Sequence, residues 1–481
     1  MNWTTRETDQ DGWREATQSL VDGRRTLTSL WGEPGRVRMA LHGEGAAEIL
    51  SLACPAGAYP SVAGRPATIR LERALADVSG LEPEGAADRR PWLDHGRWGV
   101  RRPLGDAAAA DGAPAPYVFL AAEGEGLHQI PVGPVHAGII EPGQFRFTAS
   151  GETVVRLEER LGFLHRGLEA RMAGLDPADA AKLAGRASGD STVAYAIAFA
   201  RAVEAALGLE PPPRAHWLRA LMAELERIAN HLGDIGAICN DAAFSLMHAH
   251  CGILREEVLR AADVAFGHRL MMDRVVPGGV AVDLAPAGAG AIAALVRRAR
   301  ERLPALVSLY DDTASLLDRT VGTGRVAPEL AALFGAGGYV GRASGRSFDA
   351  RRDAPYPPYD TLAFDVAVLD DGDVNARVWI RIEEARQSLA LIDQILASAP
   401  AGPIAAGLPD GTGEGCALVE GFRGDVFAWV SLEGGRVRRA HLRDPSWFQW
   451  PLLEAAIEGN IVADFPLCNK SFNCSYAGVD L

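Results

Sequence analysis

Apolar residues follow a helical period over residues 214–240 of this sequence. Large aliphatic residues recur there at alternating steps of three and four, which places them along one face of a helix. They are Leu218, Leu221, Leu225, Ile228, Leu232 and Ile235. Further helices are predicted at about 192–208, 243–272, 288–319 (with a kink at Pro304), 376–399 and 447–458. Because such apolar stripes stabilise helices only when they are buried, the pattern predicts a helical bundle.

A period of two marks the β-strand segments. The run FRFTASGETVVRL at 145–157 alternates apolar and polar residues, within a β-type segment of about 117–157. Short strand-like runs occur in residues 1–105, and 416–443 is predicted to form a pair of strands. The chain is therefore predicted to be α+β.

An Ala/Gly/Pro-rich stretch at 106–116, DAAAADGAPAP, has no apolar face to bury and predicts a domain boundary. We expect a small mixed α/β domain over residues 1–112. The second domain, over 117–481, is expected to be mainly helical with a small β element.

Composition excludes several classes of protein. The 481 residues are 48% hydrophobic and 23% charged, as in a folded globular protein, and the net charge of −14 argues against nucleic-acid binding. The six cysteines are scattered without a CxxC pair, which predicts free thiols in a reducing compartment. Neither a signal peptide nor a membrane-spanning run is visible. No nucleotide-binding motif is present, and only two basic residues are lysines, Lys182 and Lys470.

Three clusters combine ionisable residues with glycine and proline turns. They are GPVHAGIIEPGQFRF at 133–147, RLEERLGFLHRGLE at 156–169, and DFPLCNKSFNCSYAGVDL at 464–481. Each taken alone is explained as well by surface ion pairs and ordinary turns.

The three clusters stand in the order seen in a known family, together with ELERIANHLGDIGAICND at 224–241 and GDVNARVWIRIEEARQSL at 372–389. Residues from about 130 to 481 resemble the large subunit of group 4, formate hydrogenlyase-type [NiFe]-hydrogenases. They also resemble the homologous 49-kDa (D) subunit of NADH-quinone oxidoreductase, respiratory complex I. Residues 66–95 look like the end of the 30-kDa (C) subunit of complex I, which those hydrogenases carry as a fused N-terminal domain.

The resemblance also shows what this chain lacks. The hydrogenases hold nickel and iron with four cysteine thiolates, in R-x-C-G-x-C and D-P-C-x-x-C motifs. The first motif matches 186–191, where the cysteines are Ser188 and Ser191; the second matches 473–478, where they are Ser475 and Gly478. A hydroxyl is a poor substitute for a thiolate, so we expect no metal and no hydrogenase activity. The three serines are expected to line the vacated cavity.

Complex I uses the corresponding cavity for quinone, and the motif positions indicate whether this chain can do the same. His136 matches the first histidine of the quinone-binding segment, but the histidine that contacts quinone matches Ile140. The quinone-contacting tyrosine falls near Gly189. Neither of the usual quinone contacts is therefore retained, although a quinone could still bind in a reshaped cavity.

Other candidate residues are retained. Glu141 matches the glutamate that passes protons near the hydrogenase metals, and Arg423 matches an arginine that overhangs them. Asp190 lies inside the first motif. Together with His136 they form the candidate catalytic set. The alternative is that these charged residues form a buried salt bridge that only stabilises the fold.

The resemblance implies a peripheral subunit on the cytoplasmic side of the inner (cell) membrane. It would lie between an iron–sulfur subunit of the 20-kDa type and the membrane arm of a larger complex. Two functions remain open. The chain could couple electron transfer from the partner's iron–sulfur cluster to quinone reduction or to proton or ion movement, or it could be a non-catalytic scaffold or conformational coupling subunit.

Overall fold

The computed structural model describes residues 3–43, 45–62, 64–105, 114–136 and 140–481. Most of the stretch on which the domain boundary was predicted, 106–113, lies outside the described residues. The division into two domains therefore stays a prediction.

The N-terminal segment is a four-stranded sheet with two helices. Its elements are β1 (Trp3–Thr8), α1 (Gln10–Val21), β2 (Thr26–Glu33), β3 (Arg36–Gly43), β4 (Ala46–Ala53), β5 (Ala58–Pro60), α2 (Ile69–Ser79) and β6 (Glu82–Glu84). The strand order is β1-β4-β3-β2, with β1 parallel to β4 and the other pairs antiparallel. Helix α1 begins at Asp9, whose carboxylate accepts the Gly12 N–H and so satisfies one free donor of the first turn.

A second sheet follows, with antiparallel strands in the order β7-β8-β9. Its strands are β7 (Leu127–Val132), β8 (Gln144–Ser150) and β9 (Thr153–Arg160). The alternation of 145–157 is confirmed in part. Phe145, Phe147 and Leu157 are buried and Arg146 and Arg156 are partly exposed, but Thr148 is also buried, next to a register shift between β8 and β9.

The helical bundle occupies most of the remaining chain. Its elements are α3 (Leu168–Met172), α4 (Pro177–Ala184), α5 (Thr192–Leu207), α6 (Pro213–Asp241), α7 (Ser245–Phe266), β10 (Val275–Val276), β11 (Gly279–Val280), α8 (Pro286–Asp311), α9 (Ala314–Thr320), α10 (Pro328–Phe334), α11 (Gly338–Arg342), α12 (Ala350–Asp353) and α13 (Val374–Ser398). The long helix predicted at 214–240 is confirmed as α6, and every residue of its aliphatic stripe is buried. The single helix predicted at 288–319 is wrong. Helix α8 continues through Pro304 and ends at Asp311, and α9 starts anew because Thr313 has an extended backbone (φ −91°, ψ 93°).

A β-meander and three helices complete the chain. They are β12 (Gly413–Gly421), β13 (Gly424–Glu433), β14 (Arg436–Arg443), α14 (Ser446–Ile457), α15 (Phe465–Phe472) and α16 (Tyr476–Asp480). The predicted strand pair at 416–443 is wrong in number. Three antiparallel strands form there, because the glycine pair Gly434–Gly435 (φ 56° and 75°) makes a second tight turn.

The α+β prediction is confirmed, with helices dominating after residue 160. One hydrophobic core lies inside the bundle, and another combines N-terminal residues with the second sheet and the last helices. None of the described helices is both long and apolar enough to span a bilayer.

Candidate functional site

A cavity of about 400 Å³ lies where four distant parts of the chain meet. These parts are the loop before β8, the turn before α5, the turn between β12 and β13, and the C-terminal helices. Its lining residues are Ile140, Glu141, Ser188, Gly189, Asp190, Arg423, Asn469, Lys470, Asn473, Cys474, Ser475 and Tyr476. The fold thus brings together Glu141, Asp190, Arg423, Ser188 and Ser475, all of which were candidates from sequence.

Two tight turns set the position of the lining side chains. At the turn that carries Arg423, a Cβ atom on Gly424 would meet the Gly338 backbone nitrogen at 2.8 Å, so the close approach requires glycine. At the C-terminal end, Asn473 ends α15 in the left-handed conformation (φ 45°), which asparagine tolerates better than most residues. Ser475 then caps α16 by accepting the Gly478 N–H at 2.9 Å.

Arg423 and Asp190 form a bidentate ion pair on the cavity wall. The guanidinium donates Nη1–H to Asp190 Oδ1 and Nη2–H to Oδ2, both at 2.5 Å. Burial alone would raise the pKa of Asp190, but the Arg423 charge and its hydrogen bonds outweigh burial, and the pKa is lowered. Asp190 is therefore ionised at neutral pH and neutralises Arg423.

The three serines at the lost cysteine positions are tied into hydrogen bonds. Ser188 Oγ lies 2.8 Å from Ser475 Oγ and donates to Asp190 Oδ1 at 3.0 Å. Ser191 does not line the cavity; its hydroxyl accepts from Arg423 Nη1 at 3.3 Å and lies 3.4 Å from Asp190 Oδ1. The serine hydroxyls therefore form hydrogen bonds with one another and with the Asp190–Arg423 ion pair.

The residues present do not fit the nickel–iron site that the resemblance implies. At the fourth cysteine position, a Cβ atom on Gly478 would lie 2.4 Å from Asp444 Oδ2. Asp444 is itself fixed, because its Oδ2 accepts the Tyr195 hydroxyl at 2.7 Å. Across the part of the chain that the structure describes, no group of three histidine, cysteine or acidic side chains is placed to hold a metal ion. The side chains of this cavity therefore support no reaction step through a metal.

Glu141 points its carboxylate at the first turn of α16. Its Oε2 accepts the backbone N–H of Ala477 at 2.9 Å. Residues 137–139, which precede Glu141 in the same loop and include Ile139, lie outside the described residues. The carboxylate is thus held at the cavity by a backbone donor, and its other oxygen accepts no hydrogen bond from any residue that the structure describes.

His136 lies one layer behind the cavity. Its Nε2 is 3.5 Å from the Tyr476 hydroxyl, and its ring packs edge-on against Phe145 at 5.4 Å between centroids. Partial burial lowers the pKa of His136, so the ring is neutral at physiological pH. Of the predicted set, His136 and Ser191 are the two residues that do not line the cavity.

A second cavity of about 100 Å³ shares Gly189 and Asp190 with the first and contains Glu226. Glu226 accepts the backbone N–H groups of Val193 at 2.7 Å and Ala194 at 3.1 Å, at the start of α5. Burial raises the pKa of Glu226 to about 8, and the nearby Asp190 charge adds to the shift. This protonatable carboxyl was not found from sequence, because its position inside α6 looks like the polar face of a helix.

Asp480 is a further buried carboxyl near Glu141. It accepts the Gly162 N–H at 2.7 Å and the Leu164 N–H at 2.9 Å. Burial raises the pKa of Asp480 to about 7 against those hydrogen bonds, and the Glu141 charge contributes to the rise. No sequence pattern indicates this, since Asp480 is two residues beyond the last residue of its motif.

Lys470, Asn469 and Asn473 are lining residues that sequence reasoning also missed. One sign was available, because Lys470 is one of two lysines among 48 basic residues. The asparagines carry no such sign, since asparagine is common where helices end.

Comparisons with known proteins agree on one family. Residues 242–412 match the family described as "Respiratory-chain NADH dehydrogenase, 49 Kd subunit", and residues 166–233 match "Nickel-dependent hydrogenase". Formate hydrogenlyase subunit 5 of Escherichia coli (strain K12) is 31% identical over 88% of this chain and 77% of its own length. The D subunit of NADH-quinone oxidoreductase from Carboxydothermus hydrogenoformans is 31% identical over 73% of this chain and 98% of its own.

A similar fold has also been solved. A chain of the membrane-bound sulfane sulfur reductase, an archaeal respiratory membrane complex, superposes with a TM-score of 0.70 and 26% identity. The match covers 74% of this chain and 99% of the other.

Proposed function

Because this chain belongs to the family of complex I 49-kDa subunits and nickel-dependent hydrogenase large subunits, we propose that it is the large subunit of a membrane-bound oxidoreductase complex. In this proposal its cavity receives an electron acceptor in place of the metals. Electrons come from the iron–sulfur cluster of a small partner subunit, and the chain sits peripherally on the cytoplasmic side, against the membrane arm.

One observation carries this proposal. The cavity of about 400 Å³ is lined by hydroxyl, carboxylate and cationic groups, and it includes Ser188 and Ser475, two of the positions that the resemblance matches to metal-binding cysteines. A cavity kept only for folding would be expected to collapse or to fill with apolar side chains, since protein interiors are close-packed. The space is large enough for a small molecule, and the Glu141 carboxylate lines it.

In the proposed reaction, the protons consumed by reduction of the acceptor pass through Glu141. A carboxylate is suited to proton transfer when it reaches the reacting group and keeps one oxygen free. Glu141 lines the cavity and uses Oε2 for the Ala477 N–H. Asp480, whose pKa burial raises to about 7, lies within electrostatic range of Glu141 and is the second protonatable group of the proposed route.

The acceptor itself has two sources of support. Complex I relatives carry quinone in their name, and the solved relative is named for sulfane sulfur. Either could be the acceptor in the proposed reaction.

The alternative of a scaffold has its own supporting observation. Asp190 and Arg423 neutralise each other, and the serine hydroxyls are already hydrogen-bonded, so most of the site is satisfied without a ligand. A scaffold subunit would need the ion pair but not the Glu141 carboxylate.

A Glu141→Gln substitution separates the two functions. The glutamine carbonyl can still accept the Ala477 N–H, so the complex should assemble, but the proton site is lost. We expect turnover of the purified complex to fall about 10²-fold. Glu329→Gln serves as the matched control, because Glu329 is exposed in the first turn of α10 and does not line the cavity. Full turnover by assembled Glu141→Gln complex would favour the scaffold.

A further inference from the structure

Lys470 brings a positive charge to the cavity. Within the described residues its ammonium makes no ion pair or hydrogen bond, although it lines the cavity from the last turn of α15. Asp241 lies within electrostatic range, and the charge of Lys470 offsets part of the rise that burial causes in the pKa of Asp241. A cation that lines a cavity and forms no direct ion pair with a described residue is a ready site for an anion.

The other charges of the cavity do not compete for this role. Arg423 is matched by Asp190 through two hydrogen bonds of 2.5 Å. Glu141 is engaged with the Ala477 N–H and forms no ion pair with Lys470 within the described structure. The lining therefore contains one balanced pair, one carboxylate and one free ammonium group.

Amide donors stand beside Lys470. Asn473 donates one of its two side-chain hydrogens to Asp234 Oδ1 at 2.9 Å, which leaves the second hydrogen for a ligand. Asn469, one turn before Asn473, lines the same wall, where its side chain hydrogen-bonds Tyr476. An ammonium group flanked by amide donors is the combination that recognises small oxyanions and related anions.

The same lining is unfavourable for a quinone. Among the residues that the structure describes, which exclude 137–139 of the adjoining loop, Ile140 is the one aliphatic side chain that lines the cavity. The positions of the two expected quinone contacts are Ile140 and Gly189, neither of which can donate a hydrogen bond from its side chain. A quinone with an isoprenoid tail requires apolar walls, which sites for apolar ligands normally provide.

We propose that the acceptor of this cavity is a small anion bound by Lys470, with Asn473 as a second donor. The inference rests on the proposed function, in that the cavity is taken to be the acceptor site. It narrows the acceptor to one chemical class, which includes oxyanions and anionic sulfane-sulfur compounds and excludes quinones.

The test uses the purified complex and isothermal titration calorimetry with three probes: thiosulfate, sulfite and decylubiquinone. We expect at least one of the anions to bind, and Lys470→Gln to weaken that binding at least about ten-fold through loss of a charge-assisted contact. Lys470→Arg, which keeps the charge, should weaken it less. Lys182→Gln is the matched control, because Lys182 is the other lysine of the chain and pairs with Asp179 on an exposed helix.

The results distinguish this inference from the function on which it rests. Failure of both anions to bind, or equal binding by wild type and Lys470→Gln, overturns the anion site. Binding of decylubiquinone that is unaffected by Lys470→Gln, with turnover still dependent on Glu141, also overturns it but leaves the proposed function intact. Lys470-dependent anion binding supports the site even if Glu141→Gln keeps full turnover, in which case only the proposed proton route fails.

Discussion

Glu224 and Glu226 lie two positions apart on α6 and face opposite electrostatic environments. Glu224 accepts from the Tyr359 and Ser388 hydroxyls at 2.6 Å each and from Arg351 Nη1 at 3.1 Å. Glu226 accepts two backbone N–H groups beside the second cavity and, among the described residues, no side-chain donor. Burial opposes both charges, but nearby arginines lower the pKa of Glu224, whereas the pKa of Glu226 rises to about 8.

We predict that Glu224→Gln destabilises the protein strongly. The substitution keeps the shape but removes the carboxylate that the buried Arg227 and Arg351 share. Arg351 keeps its pair with Asp349 at 2.7 Å, and Glu384 lies 3.9 Å from Arg227. Removing one partner of a buried pair costs about 3–5 kcal/mol, and because each arginine keeps a second carboxylate we expect the lower end of that range. The free energy of unfolding in urea measures the effect, and a loss below about 1 kcal/mol would contradict it.

The neighbouring Glu226→Gln should act through pH. A folded-state pKa of about 8, against an ordinary value of 4.5, means that the folded chain binds more protons than the unfolded chain between these values. Stability from this group is complete below pH 4.5 and is lost as pH rises towards 8. We expect Glu226→Gln to flatten that decline by more than about 1 kcal/mol. Parallel stability–pH curves for the variant and wild type would refute the shift.

Site residues could be predicted from the sequence where they occupy positions of the family motifs. The environments of their side chains could not be predicted. Ser188, Asp190 and Arg423 were found from motif positions, and the fold brings them together. Lys470 and Glu226 were missed because a cavity depends on where distant segments meet. Nothing in the spacing of residues along the sequence marks the place where distant segments come together in the fold.

Among the secondary-structure elements, the short helix α16 has two effects on the cavity. Its backbone carries Gly478 against the Asp444 carboxylate, which leaves no room for a side chain at the position that the resemblance matches to a cysteine. The same helix holds Glu141 through the Ala477 N–H. The C-terminal turn therefore disfavours a thiolate at this position and positions the proposed proton carrier.

We predict that Gly478→Ala destabilises the fold by about 1–3 kcal/mol, because the new Cβ atom would overlap Asp444 Oδ2. Gly290→Ala is the matched control. Gly290 is exposed inside α8 with no atom within 4 Å of an added Cβ, so alanine should stabilise that helix by about 0.5–1 kcal/mol. Thermal unfolding of both variants measures the difference, and equal melting temperatures would be inconsistent with the steric overlap.

Element prediction succeeded where periodicity was long and failed at turns. The bounds of α6 were predicted within one residue, because a buried stripe extends over its whole length. The break between α8 and α9 and the third strand of the meander were missed. Both depend on backbone conformations at Thr313 and Gly434–Gly435 that hydrophobic patterning does not encode.

At the scale of the whole molecule, the N-terminal segment packs directly on the rest of the chain. Trp31 of β2 packs against Trp429 of β13 and stacks on His441 of β14. Ser29 lies 2.7 Å from His441 Nε2. Arg70 of α2 pairs with Glu454 at 2.7 Å. Aromatic packing and buried polar links therefore join the two parts, and a further ion pair forms between Arg38 and Glu414.

A cut within 106–113 should therefore leave the two parts associated. We expect a chain cleaved at an inserted protease site there to elute as one species in about 1 M sodium chloride, where screening reduces the Debye length to roughly 3 Å. The uncut chain is the reference. Elution of two separate fragments would mean that the segments are independent domains joined only by the linker.

The central claim is that a hydrogenase-type metal site has become a polar cavity for a small acceptor. A cryo-electron microscopy map of the purified complex, prepared with the anion that binds, tests this claim most directly. We predict non-protein density in the cavity against Lys470 and Asn473. A compact density bonded to Ser188 and Ser475, as a metal ion would give, or a cavity that holds water alone, would contradict it.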